Sequence, residues 1–359
     1  MSCATILIVK TGALGDVLRT TSILPGLRDA HPDAEIVWVT APAARDLLEL
    51  NDEVDELLAI DPKDAAAVKA LGDELAEDEW DWVISLDDEE PLCALATRLG
   101  KTKLSGAHLD ANGKRVYSAD TAAWFDMGLL SVHGKAEADR MKLANTRSHP
   151  EIYAEMLGIE MGQPELELPI ASIERAGKFA RERGLVDVET LIGLNTGAGG
   201  RWTSKALPED VVIELAGKLA AALDGKTAFL VLGGPDERER NARLLAALEA
   251  AGLVGVDAGT DNSLLDFGAL VDLCDLLVTS DSLALHVAVA REVPIVAFFA
   301  PTSEAEIELY GLGEKVRSTS ADYCSYKPDA DNSTLTAQRL FVAVIHVLAS
   351  NPSDASEEE

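Results

Sequence analysis

The chain has 359 residues, more than one ordinary domain and suited to two of about 150–200 residues each. Its 62 acidic and 31 basic side chains give a net charge of −31, a field that repels nucleic acid, and repels an anionic bilayer unless a local basic patch overrides it. There is no apolar run of about 18 residues, and Met1-Ser2-Cys3 leads straight into an apolar strand without a basic segment or cleavage site. A spanning helix and secretion are therefore not expected; a cytoplasmic protein with at most peripheral membrane contact is.

Along the first half, apolar runs alternate with helical stretches. Strands are expected at Thr5–Lys10, Glu35–Thr40, Val54–Asp61 and Trp80–Asp87, and a helix from about Leu14 to Ala30. Residues 101–135 are less regular, and a helix is expected over Glu137–Leu157. The stretch Gly158–Ser172, with Pro164 and Pro169, is the candidate linker. The second half repeats the pattern, with strands near Thr190–Asn195, Thr227–Leu232, Leu276–Ser280 and Pro294–Phe299. Helices are expected at Pro208–Leu223, Glu237–Ala251, Ser263–Leu273, Ser282–Arg291 and Thr336–Ala349. Such alternation implies βαβ units, hence an α/β fold of two Rossmann-like, doubly wound domains with ligands at the carboxyl ends of the strands. The expected division is 1–165, 166–335, a helix over 336–350 packing back across the domain junction, and an acidic, disordered tail over 351–359.

Cys3, Cys93, Cys274 and Cys324 are widely separated and form no C-x-x-C pair, which suits a reducing compartment and offers no zinc knuckle. Four loops at strand ends carry the chemistry. Lys10-Thr11-Gly12-Ala13-Leu14-Gly15-Asp16 fits neither the dinucleotide nor the P-loop spacing. Asp16 reads as a carboxylate favoured by the helix dipole or as a general base. Asn195–Lys205 contains Thr196, Gly197, Arg201 and Lys205, and reads as a phosphate cradle or an ordinary mobile loop. In Gly233-Gly234-Pro235-Asp236-Glu237, the carboxylate of Glu237 suits either ribose hydroxyls or a helix cap. Asp281 and Ser282 begin a helix whose amino end suits an anion, and His286 is either a core histidine or part of that loop.

Taken in order, these loops resemble glycosyltransferase family nine, the lipopolysaccharide heptosyltransferases. GALGDVLRTTSILPGLRDAHP looks like the family's opening, GAGGRWTSKALPED its donor-phosphate loop, GGPDERER its ribose segment and SDSLALHVAVAREVPIVAFFAPTSEAEIELYG its Asp-Thr-Gly-x-x-His stretch. The likeness spans about residues 5–313. It implies a GT-B fold and an inverting transferase that uses no metal or cofactor. Asp16 would be the base, and Thr11, Gly12 and Gly15 would shape its turn on the acceptor side. Thr196, Gly197, Arg201, Lys205, Gly234, Glu237, Asp281, Ser282 and His286 would bind the nucleotide-sugar donor, an ADP-linked heptose by family expectation. The sequence departs from the pattern at two points: Leu283 stands where the family has Gly, and Ala300 replaces the Gly before Pro301-Thr302. Both would crowd the phosphate side of the pocket.

Residues 98–147 hold nine basic and five acidic side chains. From this island Lys101 and Lys103 are expected to meet an acidic or phosphorylated saccharide acceptor; compensated surface charge is the plainer alternative. Two rival functions share the architecture: a nucleotide-sugar 2-epimerase and a non-catalytic sugar-nucleotide-binding protein.

Overall fold

A computed structural model of the chain describes residues 4–197, 199, 202–223 and 226–350. Arg201 and the tail 351–359, both subjects of expectations above, lie outside the described residues. The chain divides into two compact units, Met1–Glu167 and Leu168–Glu359.

The first unit is built on a six-stranded sheet of β1 (Thr5–Val9), β2 (Glu35–Thr40), β3 (Glu56–Ala59), β4 (Trp82–Ser85), β5 (Leu104–Leu109) and β6 (Arg115–Tyr117). The order is β3-β2-β1-β4-β5-β6, parallel except for β6, which runs antiparallel to β5. A parallel sheet is covered on both faces, so its strands need apolar residues on both sides. Leu7, Val9, Val37, Val39 and Val83 accordingly pack with Val68, Leu92 and Leu95 from the helices Ala65–Leu75 and Glu90–Leu99. Ile6, Ile8, Trp38 and Ile84, at the alternate positions, are also buried. Gly106 (φ +117°) is required where β5 meets β4, because a Cβ there would lie 1.8 Å from the carbonyl oxygen of Ser85.

Two helices expected as continuous are broken. Leu14–Thr20 is followed by a 3₁₀ turn, Thr21–Ile23, before the helix Leu24–Ala30, which carries Pro25 in its first turn. Proline lacks the N–H an interior position must donate, so it starts a new helix instead of continuing one. The stretch 137–157 is likewise two helices, Lys135–Ala144 and His149–Leu157. Ser148 caps the second in a capping box with Glu151, and Gly158 (φ +70°) ends it.

The second unit has six parallel strands: β7 (Thr190–Asn195), β8 (Thr227–Val231), β9 (Val254–Asp257), β10 (Leu276–Ser280), β11 (Ile295–Phe299) and β12 (Gly313–Arg317). Their order, β12-β11-β10-β7-β8-β9, repeats the connectivity of the first sheet. Ile192, Leu194, Phe229, Val231, Val278, Val296 and Phe298 form its core with the helix Glu209–Ala222. The final helix, Ala337–Ser350, buries Leu340, Ala343, Val344 and Val347 in the core of the second unit, where the sheet offers them an apolar face.

In each unit the strand order reverses beside the first strand, between β1 and β4 and between β7 and β10. Loops at the carboxyl ends part there, and this is where a doubly wound sheet takes its ligand.

Candidate active site

In the first unit the chain leaves β1 through Lys10–Ala13 and enters the helix Leu14–Thr20. Lys10 is 6% exposed, and Asp87, just beyond β4, is 7% exposed. Each charge alone would carry a large desolvation penalty; paired, they offset it. The Lys10 ammonium donates to the Asp87 carboxylate and to the carbonyl of Gly12. The other Asp87 oxygen accepts the Thr11 N–H and, at 2.7 Å, the Thr11 hydroxyl. The turn that follows β1 is thereby tied to the end of β4.

Asp16 sits in the first turn of the helix with 39% of its side chain exposed, paired at 3.0 Å with Arg19 one turn on. It also accepts the Ala13 N–H at 3.4 Å. Arg19 lies over the ring of Trp124, 5.7 Å from its centroid. Gly12 is in open surroundings, since a Cβ there meets nothing within 4 Å, and Gly15 is half-buried in the same turn. Thr11, Gly12, Gly15 and Asp16 are thus one local assembly. Its braces, Lys10, Asp87 and Arg19, were given no role from the sequence, although Lys10 and Asp87 are the last residues of the strands expected at Thr5–Lys10 and Trp80–Asp87.

Lys101 and Lys103 do not belong to this assembly. They precede β5, and the Lys103 carbonyl accepts the N–H of Val83 near the start of β4. They therefore lie at the amino end of the parallel strands, opposite the end that carries Asp16. Lys103 stands over Trp82 with its ammonium 3.2 Å from the ring centroid. Charge clustered along a sequence does not record which end of a strand it flanks. Much of the basic island is ion-paired: Arg98 with Asp73, Lys135 with Asp139, Arg140 with Glu137 and Arg147 with Glu155. Arg115 lies at the carboxyl end of β5, the end that carries Asp16, and donates at 2.7 Å to the carbonyl of Asp88.

In the second unit, Asn195 at the end of β7 donates to the hydroxyls of Thr279 (3.1 Å) and Ser282 (3.2 Å), stitching two strand ends together. Ser282 has extended backbone at the N-cap of the helix Leu283–Ala290, but its hydroxyl makes no cap bond. Lys205 closes a 3₁₀ turn and donates to the carbonyl oxygen of Asp281 at 2.6 Å and to its carboxylate at 2.9 Å. His286, 6% exposed, brings Nε2 to 4.0 Å from the same carboxylate. Nearby in the chain, the hydroxyls of Ser280 and Thr302 are buried without a hydrogen-bond partner among the described residues.

The loops at these strand ends are braced by Glu237 and by Arg240. Glu237 accepts the Gly234 N–H at 2.8 Å and the Gly199 N–H through its other oxygen. A Cβ on Gly197 would come within 2.4 Å of the Glu237 Cγ, so glycine is required for this approach. Arg240 donates to the Thr196 hydroxyl at 3.1 Å and to the Leu207 carbonyl at 2.7 Å, and burial holds its guanidinium below its usual pKa. Behind Asp281, the Tyr326 phenol donates at 3.1 Å to Glu306, and burial, with Glu306 adding to it, pushes that phenol well up. Arg240, Glu306 and Tyr326 were missed in the sequence because each is defined by a partner 20 or more residues away. Ala300 is 1% exposed and its methyl packs in the second core, and Leu283 is half-buried at the start of its helix. Among the described residues no group of three or more His, Cys, Asp or Glu side chains could hold a metal ion.

A family model described as glycosyltransferase family 9 (heptosyltransferase) matches residues 68–336. The chain belongs to glycosyltransferase family 9. The matched span holds every loop of the second-unit site and leaves out the Asp16 turn. Lipopolysaccharide heptosyltransferase 1 of Pseudomonas aeruginosa is 25% identical over 333 residues, covering 86% of this chain and 82% of that protein. A solved family 9 glycosyltransferase from Veillonella parvula matches with a TM-score of 0.75 at 22% identity, over 98% of this chain and 99% of its own. The Escherichia coli ADP-heptose lipopolysaccharide heptosyltransferase II matches with a TM-score of 0.66 at 20% identity, over 97% of this chain and all (100%) of its own. The fold is accordingly GT-B, with two Rossmann-like units, and the protein is a glycosyltransferase. Membership of family 9 sets aside the epimerase and the non-catalytic binding protein, which shared only the architecture. Among the described residues no helix is long and apolar enough to cross a membrane.

Proposed function

We propose that this family 9 enzyme transfers heptose from ADP-heptose to a saccharide of lipopolysaccharide or a related cell-surface glycan, inverting the anomeric carbon without a metal ion. The observation that carries the donor half is the Lys205 ammonium, fixed on Asp281 at the amino end of the helix Leu283–Ala290. A leaving diphosphate needs positive charge where its own negative charge grows, and an ammonium beside helix N–H groups supplies it. Two of the three Lys205 N–H groups go to Asp281, leaving one for a phosphate oxygen. Thr196, Gly197 and Gly234 line the backbone approach, Glu237 offers its remaining lone pairs to the ribose hydroxyls, and His286 keeps Asp281 oriented.

On the acceptor side Asp16 takes the proton of the attacking hydroxyl. The acceptor oxygen bonds the anomeric carbon as the bond from that carbon to the diphosphate oxygen breaks, and the electron pair leaves with ADP. Attack from the face opposite the leaving group inverts the centre. Thr11, Gly12 and Gly15 shape the turn that presents Asp16, and the buried Lys10–Asp87 pair holds it. An acidic acceptor would meet Arg115 at this end of the sheet. A nucleotide-sugar donor suits a cytoplasmic enzyme.

A thermal-shift screen of nucleotide sugars tests the donor assignment. ADP-heptose and ADP should raise the melting temperature of the wild type and leave Lys205→Ala unmoved. Stabilisation by a uridine-linked sugar and not by an adenine-linked one would overturn it.

A further inference from the structure

The proposed donor site accounts for a ribose and a diphosphate but leaves no group for the sugar that moves. Its parts follow the strand order of the second sheet. Glu237 comes from the loop after β8, Lys205 from the loop after β7 and Asp281 from the turn after β10. The next strand in that order is β11, and neighbouring strands lie about 4.8 Å apart. On the proposed function, a donor with its ribose at Glu237 and its diphosphate at Lys205 would set its sugar toward the loop that leaves β11. That loop holds buried polar groups that the fold itself does not use. Glu306 is 8% exposed, and among the described residues no cation pairs with it. Thr302 is 7% exposed, and its hydroxyl is buried with no hydrogen-bond partner among the described residues. A charge or hydroxyl buried in this way is costly unless something else satisfies it.

The partner that Glu306 does have is the Tyr326 phenol, which donates to it at 3.1 Å. Burial, with Glu306, Cys324 and Asp281 adding to it, pushes that phenol well up, so it stays a donor. Cys324 (φ +59°) and Tyr326 (φ +55°) both take left-handed backbone, which is rare for side chains of this size and gathers at ligand sites. Their N–H groups donate to the carbonyls of Ala300 at 3.0 Å and Pro301 at 2.8 Å. Two residues past Tyr326, the Pro328 carbonyl accepts the Ser204 N–H and the Thr203 hydroxyl, each at 2.9 Å. Tyr326 is thereby tied both to the end of β11 and to the turn that carries Lys205. We infer that Glu306, held by Tyr326 and joined by the Thr302 hydroxyl of the same loop, binds hydroxyl groups of the transferred sugar and so sets which sugar the enzyme moves. This rests on the proposed function, which lays the donor along Glu237 and Lys205. A carboxylate without a cation repels a diphosphate, so Glu306 does not serve the phosphates. Its free lone pairs suit O–H donors, and Tyr326 fills one of about four accepting positions. A sugar lacking the matching hydroxyl leaves the carboxylate buried and bare, which is how a polar site rejects a deoxy substrate.

Calorimetric titration of the full chain with ADP and with ADP-heptose tests the inference, together with transfer rates from ADP-heptose analogues that each lack one sugar hydroxyl. Wild type should bind ADP-heptose more tightly than ADP. Glu306→Gln keeps an oxygen for Tyr326; it should bind ADP as wild type does, while its affinity for ADP-heptose falls about tenfold or more. Tyr326→Phe, which keeps the ring, should show the same pattern with a smaller fall. Loss of one particular sugar hydroxyl should cost wild type about 100-fold in kcat/KM and Glu306→Gln far less, because the two changes remove the same bond. A purely structural role for the pair would weaken ADP and ADP-heptose alike. That result, an unchanged ADP-heptose affinity in Glu306→Gln, or deoxy penalties as large in Glu306→Gln as in wild type would overturn the inference and leave the donor reading standing. A wild type that binds neither ADP nor ADP-heptose would overturn both.

Discussion

Lys205 and Asp281 are joined twice, through the Asp281 carbonyl at 2.6 Å and its carboxylate at 2.9 Å. The contact fixes the ammonium at one place near a helix N-terminus, so on the proposed function a donor diphosphate would share Lys205 with a carboxylate. Lys205→Ala should lower kcat by about 100-fold or more and raise the donor KM. Asp281→Asn keeps the carbonyl contact and should do less, changing mainly donor KM. Steady-state kinetics with varied donor separate the two. Equal loss in both variants would contradict the division of labour.

Asp16→Asn should lower kcat by about 100-fold or more while the thermal shift induced by the donor stays as in wild type. Arg19→Ala, which frees the carboxylate from its partner, should lose less activity and alter the pH–rate profile. Unchanged kcat in Asp16→Asn would remove it from the base role.

The Lys10–Asp87 pair is buried on both sides, so removing one partner strands the other. Lys10→Met should cost about 3–5 kcal/mol in a urea titration. The double variant Lys10→Met with Asp87→Leu should be less destabilised than the sum of the single ones, because neither charge is left alone.

Asp55 gives a pH signature. Burial works against its charge, but the Ile36 N–H and the Arg28 guanidinium more than compensate, holding the carboxyl below its ordinary 3.8. A depressed folded pKa stabilises the fold above the unfolded value and loses that stabilisation as the pH falls through the folded one. Asp55→Asn should therefore be less stable than wild type at neutral pH, and the gap should close as urea midpoints are measured below pH 3.8. A gap independent of pH would assign the effect to shape alone.

The sheets were legible because a parallel strand buried on both faces is a near-continuous apolar run, as in TILIV and LLVTS. Strands β9 (VGVD) and β12 (GEKVR) were not, because sheet edges with one neighbour tolerate Gly and charge. The break at Thr21–Ile23 was announced by Pro25, which a periodicity reading passed over. Of the candidate residues chosen for their place in loops at strand ends, Lys205, Asp281 and His286 are brought together by the fold. Lys101 and Lys103 were misassigned because their charge was counted along the chain while the sheet places them at its other end. Asp87 pairs with Lys10 across 77 residues, and no local pattern encodes that partner.

The most direct measurement is transfer itself. Purified enzyme, chelator, ADP-heptose and a heptose-free inner-core saccharide should yield ADP and a product one heptose heavier by mass spectrometry, with the inverted linkage visible in its anomeric proton signal. Donor that is consumed only with added divalent metal, or converted without any acceptor, would contradict the account.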